Sequence, residues 1–531
     1  MKLLIGIRLK SLFYNMKKSF GGKKKGMGAL VAVIMLFLLF SVEMMLFGGW
    51  NMLSAYLETD FAWLYFALAG LLAFALGIFG TVFTTQSQMY QAKDNELLLA
   101  MPIKPGNIVG SRVIVLYLMT FVFIAVVMLP AGVVYCLKFG VSVSFLAVFL
   151  MMMVLISLLT QAVTCLLGWV LHFLLAGFRH KAIIATIFMT AVMILYFVGI
   201  NKVEMLMILL VENGGKIASA IQSFAWPFYA IGVSCLGDWG QFILLALLCI
   251  GAFGIVTVIL NATFVKAMLA GGKSKRAVKQ KRDSRVRSAE GTICKKEAKR
   301  FFTSTTYLVN IGMGLFMIVA FVGAGIMLKE KLLSVMTQIF AEETQKFVPV
   351  FLIGGMGLLA AMTPISAPSV SLEGKHIWIL RSMPVSGVQV LKAKFRFHCV
   401  ATVPLSAIGT IVLGFVYGLT VPEIVAATIG TVLLFVLCGV LGLVFNMCFP
   451  RLDWPNEATA CKQSMAVFFA IFGMMFVSLA YVLLYFAGSE LLGGAAEGVW
   501  AILLVDVLFA IITYLCYLLM TKWGGKKFET L

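Results

Sequence analysis

The residue types that usually carry catalysis or bind metals form no recognisable site in this sequence. Its four histidines have no metal-ligand spacing, and its ten cysteines include no CxxC pair. The stretch Gly272–Ser274 matches only the end of an ATP-binding P-loop, because Ala267 stands where the first glycine belongs. We therefore expect no catalytic residue, no metal and no bound cofactor in this chain, which we expect not to be an enzyme.

Two loops, in contrast, share a pattern that suits contact with another molecule. Residues 94–112 and 376–394 each contain an apolar stretch, a Met-Pro pair, a polar stretch with glycine, and a basic residue. Proline fixes φ and lacks an amide proton, so each pattern predicts a short amphipathic helix that ends at the proline. Two interpretations stay open: an interfacial helix that rests on lipid headgroups, and a docking helix for a cytoplasmic partner.

Polar side chains also interrupt apolar sequence elsewhere. The segment 449–464 is either a solvated loop with local ion pairs or a second partner contact or latch, and its candidate residues are Arg451, Asp453, Trp454, Glu457 and Lys462. Glu43 and Asp506 fall inside apolar stretches, where an ionised carboxyl costs about 2.5–3.5 kcal/mol. Each is either a polar group of a substrate site or a carboxyl that is protonated or snorkels to the surface.

The amino-acid composition determines the kind of secondary structure that positions these residues. Hydrophobic residues make up 62% of the chain and charged residues 12%, with a mean hydropathy of +1.04. Soluble proteins carry about 25% charged residues, so this chain needs a bilayer as its solvent. A spanning helix takes about 20 apolar residues. We predict an all-α polytopic membrane protein with twelve spans, at 27–50, 61–84, 113–136, 145–171, 182–200, 242–265, 311–328, 348–366, 400–417, 425–445, 465–486 and 500–521.

The distribution of positive charge predicts the orientation of these spans. Lys and Arg favour the cytoplasmic side of a membrane. If the N- and C-termini are both cytoplasmic, 36 of the 42 Lys and Arg residues fall in inside segments. We therefore expect a multi-pass protein of the plasma (inner) membrane. The net charge of +20 then reflects this bias and contact with anionic lipid headgroups, and no nucleic acid is expected as a partner.

The second half of the sequence repeats the first. A gap-free shift of 282 residues brings Met101-Pro102 onto Met383-Pro384 and Arg112 onto Lys394. The same shift relates the starts of the first two spans of each half. A duplicated architecture of two six-span halves follows from these matches.

The predicted organisation has three parts. A first six-span half at 1–265 begins with an amphipathic interfacial helix, a basic cytoplasmic linker follows at 266–300, and a second six-span half occupies 301–531. The long outer loop 201–241 is fairly apolar, and we expect it to hold short helices that lie in, or re-enter, the outer leaflet.

Three motifs, DNELLLAMPI, SLEGKHIWILRSMPVSG and FPRLDWPNE, resemble the membrane-spanning subunits of bacterial ATP-binding-cassette exporters of the type-2-like class. The likeness is to permeases that fuse two six-span halves in one chain, and it covers nearly the whole length. It implies alternating access driven by two copies of a separate ATPase subunit, which would bind ATP and magnesium. It also implies that residues around both Met-Pro pairs couple the permease to that ATPase: Glu96, Leu98, Met101, Pro102, Glu373, Trp378, Leu380, Met383 and Pro384.

Two other functions remain open on the sequence alone. Twelve spans also describe a proton- or ion-coupled secondary transporter, for which Glu43 and Asp506 are the available relay residues. A membrane-embedded enzyme acting on lipid-linked substrates would need carboxylates or histidines grouped at one leaflet. The substrate class stays open, since peptide, lipid and drug all suit apolar spans.

Overall fold

The apolar stretches of the chain form long helices, which satisfy their backbone hydrogen bonds internally as a bilayer requires. The computed structural model describes residues 25–59, 61–90, 95–176, 225–271, 288–340, 344–454, 457–462, 464–491 and 498–531, with isolated residues of 4–10 and 182–194. Every element in this described part of the chain is helical. The chain divides into two compact units, of which unit 1 holds residues 1–178 and 199–280 and unit 2 holds the rest.

Unit 1 contains seven described α-helices. Helix α1 contains Glu43, and α3 is the short helix of the first Met-Pro loop. The α-helices are α1 (Lys25–Leu53), α2 (Ala62–Tyr90), α3 (Asn95–Ala100), α4 (Pro105–Phe139), α5 (Val143–Ala176), α6 (Trp226–Cys235) and α7 (Trp239–Gly271).

Unit 2 contains the remaining described helices. A 3-10 turn, Ser371–His376, precedes the short helix α13 of the second Met-Pro loop, and a π turn, Met520–Gly524, links the last two helices. The α-helices are α8 (Ala289–Thr303), α9 (Thr305–Ile311), α10 (Met313–Met327), α11 (Lys329–Phe340), α12 (Thr344–Ala361), α13 (Ile377–Ser382), α14 (Gly387–Val416), α15 (Val421–Cys448), α16 (Glu457–Lys462), α17 (Met465–Leu491), α18 (Val499–Leu519) and α19 (Gly525–Glu529).

The helices agree with the predicted spans. In the described part of the chain, eight helical stretches are long and apolar enough to cross a membrane. Helices α9 and α10, which meet at a bend of 42°, pass the same test together and make nine if the pair is one span. The predicted spans at 27–50 and 348–366 correspond to α1 and α12. The predicted span at 182–200 is described only at isolated residues, which are helical where they are described.

The helix boundaries repeat at the predicted separation. Helices α2, α3 and α4 begin at Ala62, Asn95 and Pro105, and α12, α13 and α14 each begin 282 residues later. The short helices end before their prolines, and the turns around the prolines match as well. The amide of Ile103 donates to the Met101 carbonyl at 2.7 Å, and the amide of Val385 donates to the Met383 carbonyl at 2.7 Å.

One predicted span ends earlier than the sequence indicated. Helix α12 stops at Ala361, five residues before the predicted end at Ser366, and residues 363–370 continue as buried backbone that is not helical. Pro364 and Pro368 explain the difference, because neither can donate a helical hydrogen bond. Irregular backbone at such a place is tolerated only where protein surrounds it.

Two further segments have described contacts. Ala182, the first residue of the predicted span at 182–200, shares a core of unit 2 with Phe301 and Tyr307. Within unit 1, the predicted short helix of the outer loop is α6, and it packs against the start of α2. The rings of Trp63 and Tyr229 meet edge to face at 5.0 Å, and the remainder of that loop, 201–224, lies outside the described residues.

The contact between α6 and α2 leaves no room for a side chain at Gly232, and this gives a test of the packing. A Cβ built on Gly232 would lie 2.1 Å from the carbonyl oxygen of Trp63, so we expect Gly232→Ala to separate the two helices and to destabilise unit 1 by about 1–3 kcal/mol. Thermal unfolding of the purified protein in detergent measures this. Gly251→Ala in α7 is the matched control, since no atom lies within 4 Å of its built Cβ. Equal melting temperatures for the two variants would contradict the packing.

Candidate functional site

The candidate site of unit 2 starts with α8, an amphipathic helix. Its side chains Ile293, Glu297 and Phe301 are buried, and their spacing of four residues places them on one face. The Ser288 hydroxyl caps the helix by accepting from the amide of Gly291. A carboxylate between two apolar residues on a buried face needs a positive partner.

Lys394, in the first turns of α14, supplies that positive charge. Its ammonium is fully buried and donates to Glu297 Oε1 at 2.6 Å and to Glu373 Oε1 at 3.0 Å. A third bond goes to the carbonyl of Ser369 at 3.0 Å. One lysine thus joins α8, the segment after α12, and α14 by all three of its donors.

Two further cations, which are partly exposed, complete this ion cluster, which we define as Lys296, Glu297, Arg300, Glu373 and Lys394. Lys296 lies 3.0 Å and Arg300 3.5 Å from Glu373 Oε2, and Arg300 also donates to the Leu372 carbonyl. Burial alone would raise the pKa of Glu373, but Lys394, Lys296 and Arg300 outweigh it and lower the pKa to about 2. Glu373 is therefore ionised at neutral pH.

The turns after α12 are held by polar contacts from neighbouring helices of unit 2. Tyr307 donates to the Ile365 carbonyl at 2.6 Å, and Ser366 donates to the Gly439 carbonyl at 2.7 Å. The Asn446 side chain accepts from the amide of Ser371 at 3.0 Å. These bonds replace the helical ones that the prolines remove, so the turns form a fixed base for the residues that follow.

The segment 449–464 contacts the same base. Trp454 donates from Nε1 to the Ser371 carbonyl at 2.8 Å, and its ring lies against Gly374, where φ is +57° and a built Cβ would lie 3.1 Å from the indole. The amide of Arg451 donates to the Ser371 hydroxyl at 3.0 Å. The segment thus contacts the turn Ser371–His376 through one side chain and one backbone amide.

The other candidate residues of this segment lie around that contact. Glu457 accepts a hydrogen bond from the Ser304 hydroxyl, at the junction of α8 and α9. Asp453 and Lys375 form an exposed pair at 3.9 Å, a geometry that contributes little to stability. Lys462 is the exposed last residue of α16.

Helix α13 has two faces. Ile377 and Leu380 are buried against Val390, Leu391 and other residues of one core. On the other face Trp378 is 62% exposed and Met383, just past the helix, is 46% exposed; Pro384 is exposed as well. Leu380 thus differs from its expected role, since it fills a groove of its own chain.

In unit 1, the short helix α3 likewise has an exposed face and a partly buried face. Leu97 and Met101 are exposed, as is Pro102, whereas Leu98 is partly buried against a core that includes Ile108 and Val109. Arg112, the counterpart of Lys394, is also fully buried; it donates to the Met89 carbonyl at 2.8 Å and lies 5.8 Å from the ring centre of Phe264.

The remaining candidates are Glu96 and Glu43 in unit 1 and Asp506 in unit 2. The side chain of Glu96 lies outside the described part of the structure. Glu43 is half-buried on α1. Asp506 is buried in α18 and accepts from the Tyr481 hydroxyl at 2.6 Å, beside Gly430. Within unit 2, the structure therefore places Trp454 and Arg451 against the turn that contains Glu373, whereas Asp506 is paired with Tyr481 on other helices.

Sequence reasoning missed the role of Glu297. Its signal was present, because Glu297 is the one acidic residue within the basic run from Lys295 to Arg300 and stands four residues from both Ile293 and Phe301. Among the described residues, no group of three His, Cys, Asp or Glu side chains has the arrangement of a metal site. What the geometry offers is mechanical: a short surface helix fixed to the bundle by buried charge.

The fold and this site define a polytopic helical membrane protein built from repeated helix units. A sequence model for a family described as membrane proteins of 12 transmembrane segments matches residues 27–521, and the chain belongs to that family. No curated protein and no solved structure matches the chain.

The ion cluster predicts a specific pattern in a pair of substitutions. Lys394→Met leaves two buried carboxylates without their shared partner, and we expect it to destabilise unit 2 by about 3–5 kcal/mol. Adding Glu297→Gln should recover a large part of the loss, since Glu373 still contacts Lys296 and Arg300. Thermal unfolding in detergent measures both, with Lys392→Met on the same helix as the control. Additive losses in the double variant would show that the charges are not coupled.

The lowered pKa of Glu373 also sets a pH dependence. The ordinary value is 4.5 and the folded value about 2, so the unfolded chain takes up its proton first as pH falls. The stabilisation is complete above pH 4.5 and disappears as pH falls to about 2. We expect the melting temperature of Glu373→Gln to be below that of the unaltered protein at neutral pH, with a difference that shrinks through this window. A difference that stays constant would argue against the ionised cluster.

Proposed function

We propose that this protein is the membrane-spanning permease of an ATP-driven transporter, an exporter of the ATP-binding-cassette type, whose ATPase is a separate chain. The membrane class comes from the family match and the helices. The function rests on the sequence resemblance together with the paired Met-Pro helices. In this proposal both termini and both Met-Pro loops face the cytoplasm, and substrate moves by alternating access.

The observation that carries the proposal is the two-faced construction of α13. A soluble ATPase can transmit force to a membrane protein only through a rigid contact. Trp378 on α13 and Met383 just after it are exposed, while the turn before α13 is tied to α8 and α14 by Glu373 and Lys394. Leu97 on α3 and Met101 just after it are exposed at the equivalent place. Such a surface suits a partner groove, with Glu373 and Leu380 as support and not as contacts.

A proton- or ion-coupled secondary transporter is the second candidate, and one contact favours it. Asp506 and Tyr481 form a hydrogen-bonded pair in a core of unit 2 that is distinct from the core around Ile377 and Leu380. Buried carboxyls in spans frequently mark ion or proton pathways. In the permease proposal the same pair has a packing role, by joining α17 to α18.

Loss of association with the ATPase tests the preferred function. We expect Met383→Glu, and Met101→Glu if both halves engage alike, to weaken ATPase association. Burying an apolar side chain of this size is worth about 1.5–3 kcal/mol, which corresponds to about ten- to hundredfold in affinity. The measurement is co-purification of a tagged ATPase, identified by its P-loop, at matched permease levels.

The control is Met327→Glu, which places the same charge on an 85% exposed methionine at the C-terminal end of α10. It should leave association unchanged. If the Met101→Glu, Met383→Glu double variant binds the ATPase as the unaltered protein does, the Met-Pro loops are not docking surfaces. If no ATPase associates and transport follows a proton gradient with dependence on Asp506, the secondary transporter is the correct function.

A further inference from the structure

The segment Gly525–Leu531, which we call the distal segment, packs beside the second Met-Pro loop. Phe528 is buried in the same core as Ile377 and Leu380. A Cβ built on Gly387 would lie 2.4 Å from the carbonyl oxygen of Gly525, so only glycine allows this approach of the two backbones. The distal segment therefore lies against the start of α14 at van der Waals distance.

Glu529 fixes the distal segment to both sides of the Met-Pro turn. Its carbonyl accepts from Arg381 Nη2 at 2.5 Å, in the last turn of α13. Its carboxylate accepts from the amide of Gly387 at 3.3 Å, in the first turn of α14. Glu529 thus contacts both ends of the loop that exposes Met383.

A groove of about 410 Å³ opens between α13 and the distal segment. This is the size of a small ligand pocket, for which about 300–1,000 Å³ is usual, and is enough for a protruding side chain. Its lining combines apolar surface with one ion of each sign: Trp378, Arg381, Ser382, Val385, Gly387, Phe528 and Glu529.

The charge around the groove indicates the chemistry of its occupant. Lys526 and Lys527 are exposed on the distal segment, and Lys522 is exposed one turn earlier. Arg381 adds a fourth positive charge on the opposite wall. An occupant with an apolar side chain surrounded by acidic residues is complementary to this surface.

We propose that the groove between α13 and the distal segment is a second docking surface beside the exposed face of α13, and that the ATPase inserts an apolar side chain there from an acid-rimmed surface. This inference rests on the proposed function and extends it from the Met-Pro helix to the segment after the last span. The partner then contacts α13 and the distal segment together, and Lys526 and Lys527 take part in the binding.

Site-specific photo-crosslinking tests the inference in the intact protein. A photoreactive amino acid is placed at Trp378, at Thr530 or, as a control, at Lys331 on α11, and crosslinked products are identified by mass spectrometry. We expect the ATPase, recognised by its P-loop, at Trp378 and Thr530 but not at Lys331. Crosslinks at Trp378 without any at Thr530 would overturn the inference and leave the proposed function standing. Crosslinks at neither position, or only to lipid, would overturn both.

Charge reversal supplies a second measurement that does not depend on folding of the groove. Lys526→Glu with Lys527→Glu alters only exposed side chains. We expect about a tenfold weaker ATPase association and a smaller loss of association on adding salt, because attraction between exposed charges is screened. Lys329→Glu with Lys331→Glu on α11 is the matched control. Equal association for the two double variants would show that the distal segment merely braces α13.

Discussion

Burial of the Lys394 ammonium is the constraint on which the rest of this site depends. Removing such a charge from water costs several kcal/mol, so the lysine stays buried only if carboxylates reach it in good geometry. Its two partners come from positions 97 and 21 residues away in sequence. Because Glu297 belongs to α8 and Glu373 to the turn before α13, satisfying one charge fixes the relative positions of three segments of unit 2.

Much of the fold was predictable because the bilayer restricts backbone structure to helices. Apolar length alone located the spans, and the 282-residue repeat anticipated the starts of α12, α13 and α14. The early end of α12 was the main error. Hydropathy counts Pro364 and Pro368 as compatible with a span, whereas their missing donors force turns that neighbouring helices must satisfy. The amphipathic helix α11, Lys329–Phe340, was also not predicted, since its mixed polarity resembles a loop.

The exposure of several side chains of the site was predictable from the sequence, whereas the contacts that hold them in place were not. Exposed Met101, Trp378 and Met383 follow from an apolar pattern next to a proline, which is local information. The inward roles of Glu373 and Leu380 depend on what packs behind them, and that comes from distant segments. Whether a carboxylate near a loop meets solvent or a buried lysine is a tertiary property, and no single-sequence pattern expresses it.

The size of α13 explains why such support is needed. A helix of six residues is far below the roughly 12–15 residues at which an isolated helix becomes marginally stable in water. Its conformation must therefore come from its surroundings: the ion cluster at its beginning, the buried Ile377 and Leu380 along its length, and the Arg381–Glu529 contact at its end. Because both ends of α13 are held, a force on its exposed face also moves α14. Lys394, which holds the turn before α13, belongs to α14, the helix that follows the Met-Pro turn. Helix α13 is therefore held as a rigid extension of α14, which is the property that the proposed function requires of it.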